Sequence, residues 1–319
     1  MARPPARVRS LKTGLIRAGQ LVITVLVTWF ILDRVGLDMD TLRAMDLSAL
    51  RPNLMLLAAA SALLLASYFF SAALWGRIVV DLGGPPIPLW VTIRLFMIAN
   101  LGRYVPGKLW QIAGLAAMAK HQGIPAPTAV AAAVLGQGIA LAAALTVGLG
   151  ALLGGPEAYR QWGIPAAVIM AVGIGLAAVP AIFQRIVALW FRVARTDAPA
   201  ELTSIHGLRW LVLYFVNWVA YALSFWLLLV SFGASAPLMP AASAFAAAYV
   251  LGYLFIMAPA GAGVREGFLI AFLTPHIGIA SAGTIAVVAR IWTTIVEVIP
   301  ATVFWLWHVS ADKAVADNE

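Results

Sequence analysis

The sequence predicts an all-α, polytopic membrane protein. Of its 319 residues, 63% are hydrophobic and only 11% are charged, whereas about 25% of the residues in soluble domains are charged. Apolar windows of about twenty residues, the length that crosses the hydrocarbon core as a helix, recur along nearly the whole chain. Proline, glycine and charged residues interrupt two further apolar stretches. We therefore expect one integral membrane domain over residues 1–319, with no room for a separate catalytic domain.

Six apolar stretches are long enough for full spans, at residues 16–32, 54–75, 127–153, 162–182, 209–231 and 281–308. The first follows a basic segment without a small-residue cleavage site, so we expect a retained span rather than a signal peptide. The two interrupted stretches, 88–119 and 238–274, are too short for two spans and too broken for one. We expect each to form a re-entrant hairpin of two half-helices.

Basic residues orient this topology in the membrane. With both termini in the cytoplasm, twelve lysines and arginines lie in cytoplasmic segments and four lie on the other side, namely Arg34, Arg43, Arg51 and Arg160. An excess of basic residues inside is typical of membrane proteins. It explains the net charge of +8 without nucleic acid as a partner. We expect a protein of the bacterial inner (cytoplasmic) membrane.

The order of the spans predicts an inverted-topology repeat. Residues 1–153 run span, span, hairpin, span from the cytoplasm, and residues 162–310 repeat that order from the opposite side. Hairpins inserted from opposite faces would meet near the midplane, where transporters of this architecture bind their substrates. The alternative is an accidental symmetry among similar apolar segments.

The first hairpin breaks at Pro106 and Gly107. Because proline disfavours a helical conformation in the residue before it, one half-helix ends here and the next begins. The backbone N–H groups at the new N-terminus lie beside Arg103 and Lys108 in the sequence. Free N–H groups next to two cations favour an anion, above all a phosphate.

The second hairpin breaks between Pro259 and Gly263. Gly261 and Gly263 permit a close approach of the backbone, and Arg265 supplies positive charge next to them. Glu266 lies at the start of the following half-helix, where a carboxylate suits the helix dipole.

Seven charged side chains fall inside apolar segments: Arg94, Arg103, Lys108, Arg265, Glu266, Arg290 and Glu297. A charge at the bilayer centre costs on the order of 3 kcal/mol, so these residues need a function or a partner. We predict that three bind a lipid phosphate, Arg103, Lys108 and Arg265, and that three modulate that site, Glu266, Arg290 and Glu297. As alternatives, Arg94 and Lys108 could extend to the membrane surface. Arg290 could form a structural pair with Glu297 on the same helix face.

Three polar side chains near the first break are candidates for headgroup contacts: Asn100, Tyr104 and Gln111. Asn100 and Gln111 could equally cap half-helices. Asn217, Trp218 and Tyr221, in the fifth full span, could line the same cavity or make hydrogen bonds between helices.

Catalytic motifs are absent from the sequence. The chain contains no cysteine, and its four histidines are scattered, which argues against thiolate sites and a histidine metal cluster. No aspartate lies within a predicted span, and no Walker, G-x-S-x-G or H-E-x-x-H motif occurs. We therefore expect no enzymatic activity, no cofactor and no metal.

The two break segments resemble the membrane region of lysylphosphatidylglycerol synthases and related flippase-like integral membrane proteins. The first segment is R-Y-x-P-G at residues 103–107, and the second is P-x-G-x-G-x-R-E-G at residues 259–267. The resemblance implies binding or movement of a phosphate-bearing lipid, such as an aminoacylated phospholipid, a hopanoid-related lipid or a polyprenyl-linked sugar. Full-length synthases carry a soluble aminoacyl-transfer domain after this region. Because the sequence ends at Glu319, soon after the last predicted span, we do not expect that activity.

Three functions are compatible with the sequence. A flippase, the leading expectation, would bind the lipid phosphate between the hairpins and expose it to each leaflet in turn by rocking of the two repeats. An accessory membrane subunit would present the lipid to a glycosyltransferase or another lipid-modifying enzyme without transporting it. An ion or small-solute carrier is the third.

Overall fold

Helices make up nearly all of the structure. The computed structural model describes residues 51–104, 109–161, 163–168, 171, 180–193, 202–255 and 261–316, and it contains no strand among them. The helices are α1 (Leu54–Asp81), α2 (Leu89–Asn100), α3 (Leu109–Lys120), α4 (Ala126–Gly154), α5 (Glu157–Arg160), α6 (Pro180–Val193), α7 (Ser204–Ser231), α8 (Leu238–Leu254), α9 (Val264–Ile277) and α10 (Ile279–Ala316). A short 3-10 turn, Leu101–Tyr104, directly follows α2.

Four helices, α1, α4, α7 and α10, are long and apolar enough to cross a membrane. Each contains one predicted span, in order 54–75, 127–153, 209–231 and 281–308. The predicted span 16–32 lies outside the described residues, as does much of 162–182. The protein is thus a polytopic helical membrane protein, and its total of six full spans stays a prediction.

Helices α1 and α7 form an antiparallel pair with polar contacts at both ends. At the start of α1, the backbone N–H of Asn53 donates to the carbonyl of Ser231 over 2.7 Å. At its other end, the carboxylate of Asp81 accepts a hydrogen bond from Arg209 near the start of α7. These contacts fix the register of the two helices.

Helices α2 and α3 form a hairpin whose open end lies beside the N-terminal end of α4. The loop after α1 reaches the first turn of α4, where a Cβ on Gly84 would lie 3.4 Å from Thr128 Cγ2. Helix α2 starts from this loop, and α3 leads back to α4 through residues 121–125. The chain therefore enters and leaves this hairpin on the same side.

Helices α8 and α9 form a second hairpin, whose open end lies beside the C-terminal end of α4. A Cβ on Gly150 would lie 3.3 Å from Ser243, near the start of α8, and one on Gly155 would lie 3.3 Å from Phe272, near the end of α9. The two hairpins thus extend from opposite ends of α4. This arrangement favours re-entrant insertion from opposite faces of the membrane, which remains a prediction, as do the repeats 1–153 and 162–310.

Helix α8 is buried on nearly all sides, as its uniformly apolar sequence predicts. Its fully buried residues include Ala241, Phe245, Ala246, Ala247 and Ala248. Small residues let α8 approach α4 closely, because a Cβ on Gly148 would lie only 2.7 Å from the backbone nitrogen of Ala247. Helix α8 is therefore a central packing element of the described structure.

Candidate functional site

The closed ends of the two hairpins meet at one cavity, which we call the tip cavity. Its lining includes Arg103 and Tyr104 from the first hairpin, Gly261 and Arg265 from the second, and Arg290 and Glu297 from α10. Residues from the two predicted breaks therefore lie together, although they are far apart in the sequence. The predicted site residues Pro106, Gly107, Lys108 and Pro259 lie outside the described residues.

The turn of the first hairpin is anchored to α10 by a buried carboxylate. Arg103 Nη2 lies 2.8 Å from Glu297 Oε1, and the hydroxyl of Tyr104 donates to Glu297 Oε2 over 2.8 Å. Glu297 is 1% exposed. Because a buried carboxylate needs a cation or hydrogen-bond donors to offset its desolvation, this carboxylate holds the turn in place.

The turn of the second hairpin is anchored to α10 in a similar way. Glu266 Oε1 lies 3.5 Å from Arg290 Nη1, and Glu266 Oε2 accepts a hydrogen bond of 2.6 Å from the backbone N–H of Gly263. Gly261 and Gly263 both have positive φ angles, 71° and 78°, a conformation that glycine adopts more readily than other residues. Glu266 thus caps the start of α9, a contact that was not predicted from the sequence, where we expected only a favourable interaction with the helix dipole.

Arg290 and Glu297 do not form the ion pair with each other that their spacing suggested as an alternative. Spacing along one helix face suggested a pair between these two residues, but each pairs with a residue of a different hairpin turn. Both side chains do line one wall of the tip cavity. Helix α10 therefore contributes one cation and one carboxylate to the site.

Arg265 is the most unusual charge of the site. It is 8% exposed, and its guanidinium carbon lies 4.8 Å from the ring centroid of Phe245 and 5.6 Å from that of Tyr249. These cation–π contacts stabilise the charge only partly. Within the described part of the chain, Arg265 forms no ion pair with a carboxylate. A buried guanidinium in such surroundings attracts an anion.

The described charges of the site leave a positive excess. Three arginines line the tip cavity, whereas the nearby carboxylates are those of Glu297 and Glu266, each already paired with one arginine. Arg94 is not among the residues that line the tip cavity, and its guanidinium carbon lies 5.0 Å from the ring centroid of Trp90. The tip cavity is therefore electropositive.

A second cavity, whose described lining carries only one charged residue, Arg103, adjoins the first. We call it the amide cavity, because the side-chain amides of Asn100, Gln111, Gln137 and Asn217 line it. Gln111 Nε2 donates to Asn100 Oδ1 and so joins the two half-helices of the first hairpin. Asn100 and Gln111 thus bond to each other, in place of the caps weighed as an alternative. Arg103, Gln111 and Tyr221 line both cavities.

Several lining residues were not predicted from the sequence. Tyr68 and Tyr249 line both cavities, and Tyr214 lines the amide cavity. Within apolar helices these tyrosines look like ordinary packing residues. Gln137 had a usable signal, since it is a lone amide between Gly136 and Gly138 in an otherwise apolar span.

A comparison with known protein families matches most of the chain to the membrane region of one family. The family described as Lysylphosphatidylglycerol synthase TM region matches residues 14–301. The match includes both hairpins, the described lining of both cavities, the helices α1, α4 and α7, and α10 up to residue 301. No curated protein matches the chain.

Proposed function

The chain belongs to the lysylphosphatidylglycerol synthase TM-region family, and we propose that it binds a phosphate-bearing lipid by its headgroup and translocates it across the membrane. The observation that carries this proposal is the Arg265 guanidinium, which is buried in the tip cavity without a carboxylate partner among the described residues. An arginine fork matches a phosphate in geometry and charge. A lipid phosphate would supply the missing anion.

Arg103 and Arg265 would contact the phosphate from the two hairpin turns. Arg103 shares its charge with Glu297 at 2.8 Å, so a phosphate would compete with this carboxylate for the guanidinium. Lys108, five positions after Arg103 in the sequence, would add a third cation. Asn100, Tyr104 and Gln111 would contact the rest of the headgroup.

Translocation would follow from the opposed arrangement of the hairpins. Each hairpin contributes one arginine to a cavity between them, and their open ends lie at opposite ends of α4. Rocking of one hairpin and its neighbouring helices against the other would open the cavity toward each leaflet in turn. The two turns would then remain on the phosphate while access changes.

Lipid movement in liposomes tests this proposal. Purified protein is reconstituted with fluorescent phosphatidic acid and phosphatidylglycerol, and movement between leaflets is followed by chemical quenching of the outer leaflet. We expect activity in the wild type and at least a tenfold loss in Arg265→Gln, since a hydrogen bond to a charged group contributes about 1.5–3 kcal/mol. Arg192→Gln, at an exposed position of α6, serves as the control and should retain activity.

Three other results would change the conclusion. Equal movement by the wild type and Arg265→Gln would contradict the phosphate site. Binding that depends on Arg265 but brings no movement would indicate the accessory subunit that presents a lipid to another enzyme. Substrate-dependent currents without lipid movement would indicate a solute carrier.

A further inference from the structure

The amide cavity lies where the next part of a bound headgroup would go. It shares Arg103, Gln111 and Gln137 with the tip cavity, so the two cavities lie side by side. A lipid whose phosphate reaches Arg103 from the tip cavity would place the group beyond the phosphate against the amides and hydroxyls of α1, α4 and α7. The chemistry of this lining therefore selects the headgroup.

The lining is polar but nearly uncharged. Among the described residues around the amide cavity, Arg103 is the only charged one, and the others include four amides and the hydroxyls of Ser67 and Ser71. Amides and hydroxyls both donate and accept hydrogen bonds. Such a lining fits a neutral group that carries several hydroxyls.

Asn217 supplies an independent indication of a ligand. It is 7% exposed, and its amide nitrogen donates to Ser71 Oγ over 2.8 Å. Its Oδ1 atom is buried and has no hydrogen-bond partner within the described residues. Buried acceptors are rarely left unpaired, and a ligand hydroxyl would pair this one once the side chain turns its Oδ1 atom toward the cavity.

Aromatic rings complete the lining. Trp218 lies 4.8 Å from Tyr249 and 5.0 Å from Tyr221, measured between ring centroids, and all three line the amide cavity. Rings of this kind present apolar faces beside polar edges. The C–H faces of a sugar or polyol pack against such rings while its hydroxyls reach the amides.

A cationic headgroup fits this space poorly. The carboxylate of Glu297, which lines the adjoining tip cavity, is already held by Arg103 and Tyr104. An added ammonium group would lie beside Arg103 without a free carboxylate among the described lining residues, and like charges repel.

We infer that the lipid carries a neutral, polyhydroxylated group on its phosphate, such as a sugar or another polyol, rather than an aminoacyl cation. This inference rests on the proposed function. The phosphate lies in the tip cavity. The hydroxyls occupy the amide cavity, and one of them donates to Asn217 Oδ1.

Titration with three short-chain lipids tests this assignment. Dihexanoyl phosphatidic acid carries the phosphate alone, and dihexanoyl phosphatidylinositol adds a neutral polyol. Dihexanoyl lysylphosphatidylglycerol adds a glycerol that carries a cationic lysyl ester. Binding to the full chain in phosphatidylcholine nanodiscs is measured by calorimetry, because sugar detergents would compete for the site. We expect phosphatidylinositol to bind about tenfold more tightly than phosphatidic acid, as one or two added hydrogen bonds allow, and lysylphosphatidylglycerol to bind no more tightly than phosphatidic acid.

Variants separate this inference from the proposed function. Asn217→Leu should keep phosphatidic acid binding and lose the preference for the polyol, while the neighbouring exposed variant Val216→Ala should keep both. Gln137→Leu should reduce the same preference and replaces Asn217→Leu if that variant does not fold. No preference for the polyol in the wild type, tighter binding of the lysyl lipid, or a preference that persists in the folded variants would overturn the inference. Phosphatidic acid binding that is unchanged in Arg265→Gln would overturn the proposed function instead.

Discussion

The buried Glu297 of α10 and the partly buried Arg103 of the first hairpin turn form an ion pair of 2.8 Å at the wall of the tip cavity. The same carboxylate accepts a hydrogen bond from Tyr104. It therefore has two effects, since it holds the first turn in place and neutralises one of the cations that would bind a phosphate.

Replacing Glu297 with glutamine should separate these two effects. The Glu297→Gln variant loses the negative charge and keeps a similar shape, so Arg103 becomes available to an anion. We expect tighter binding of phosphatidic acid, by several-fold, together with a loss of about 2 kcal/mol in the stability of the unliganded protein. Calorimetric titration and thermal unfolding with and without the lipid measure the two quantities.

The control for this experiment is Glu157→Gln, which removes a carboxylate at an exposed position of α5. It should change neither quantity. Weaker lipid binding by Glu297→Gln in a folded protein would show that the carboxylate supports the anion site rather than competing with the phosphate.

Asp81 should matter for stability but not for lipid binding. Its side chain is 4% exposed and forms ion pairs with Arg77 and Arg209, and Trp210 also donates to it. Asp81→Asn leaves these donors without a charged acceptor. We expect a loss of about 1–3 kcal/mol in the free energy of unfolding, measured by thermal or denaturant unfolding in detergent.

The variant Arg77→Gln is the matched comparison, because the Arg77 side chain is 54% exposed and exposed ion pairs contribute little. Its unfolding should stay close to that of the wild type. Reduced phosphatidic acid binding by a folded Asp81→Asn protein would contradict the assignment of Asp81 to the fold alone.

The long helices and the two breaks could be predicted from the sequence because they follow from local chemistry. Apolar runs of sufficient length predicted α1, α4, α7 and α10, and the turn glycines Gly261 and Gly263 predicted the second break. These features depend on residues that are near one another in the chain. The membrane limits the alternatives, since an apolar run of that length has few other stable arrangements.

The ion pairs could not be predicted in the same way, because they depend on how distant helices pack. Glu297 lies seven positions after Arg290, which suggested a pair, yet its partner Arg103 comes from the first hairpin. The amide cavity could not be predicted for the same reason, because it forms where the distant helices α1, α4 and α7 pack against each other. Tyr68, Tyr214 and Tyr249, which also line it, carry no local signal that separates lining residues from core residues.

Gly261 should be sensitive to substitution for two reasons. Its φ angle is 71°, and an added Cβ would lie 3.0 Å from the carbonyl oxygen of Gly252. Gly261→Ala should therefore destabilise the protein by about 2 kcal/mol or more and displace Arg265. Thermal unfolding and phosphatidic acid binding are the two measurements.

Gly233→Ala, in the turn after α7, is the control for Gly261→Ala. Gly233 has a similar φ of 76°, but an added Cβ would meet no atom within 4 Å. It should show the backbone strain alone, about 1 kcal/mol, with normal lipid binding. Equal losses of stability in the two variants, with lipid binding intact in both, would mean that the approach of Gly261 to Gly252 is unimportant for the site.

Gly148 and Gly138 of α4 should respond in opposite directions to alanine. A Cβ on Gly148 would lie 2.7 Å from the backbone nitrogen of Ala247 in α8, whereas a Cβ on Gly138 would meet no atom within 4 Å. Gly148→Ala would push α4 away from α8 and destabilise the protein by about 1–3 kcal/mol. Gly138→Ala should gain up to about 1 kcal/mol from the higher helix propensity of alanine. Thermal unfolding of both variants in one detergent checks the pair, and a stabilised Gly148→Ala protein would contradict the close packing of α4 on α8.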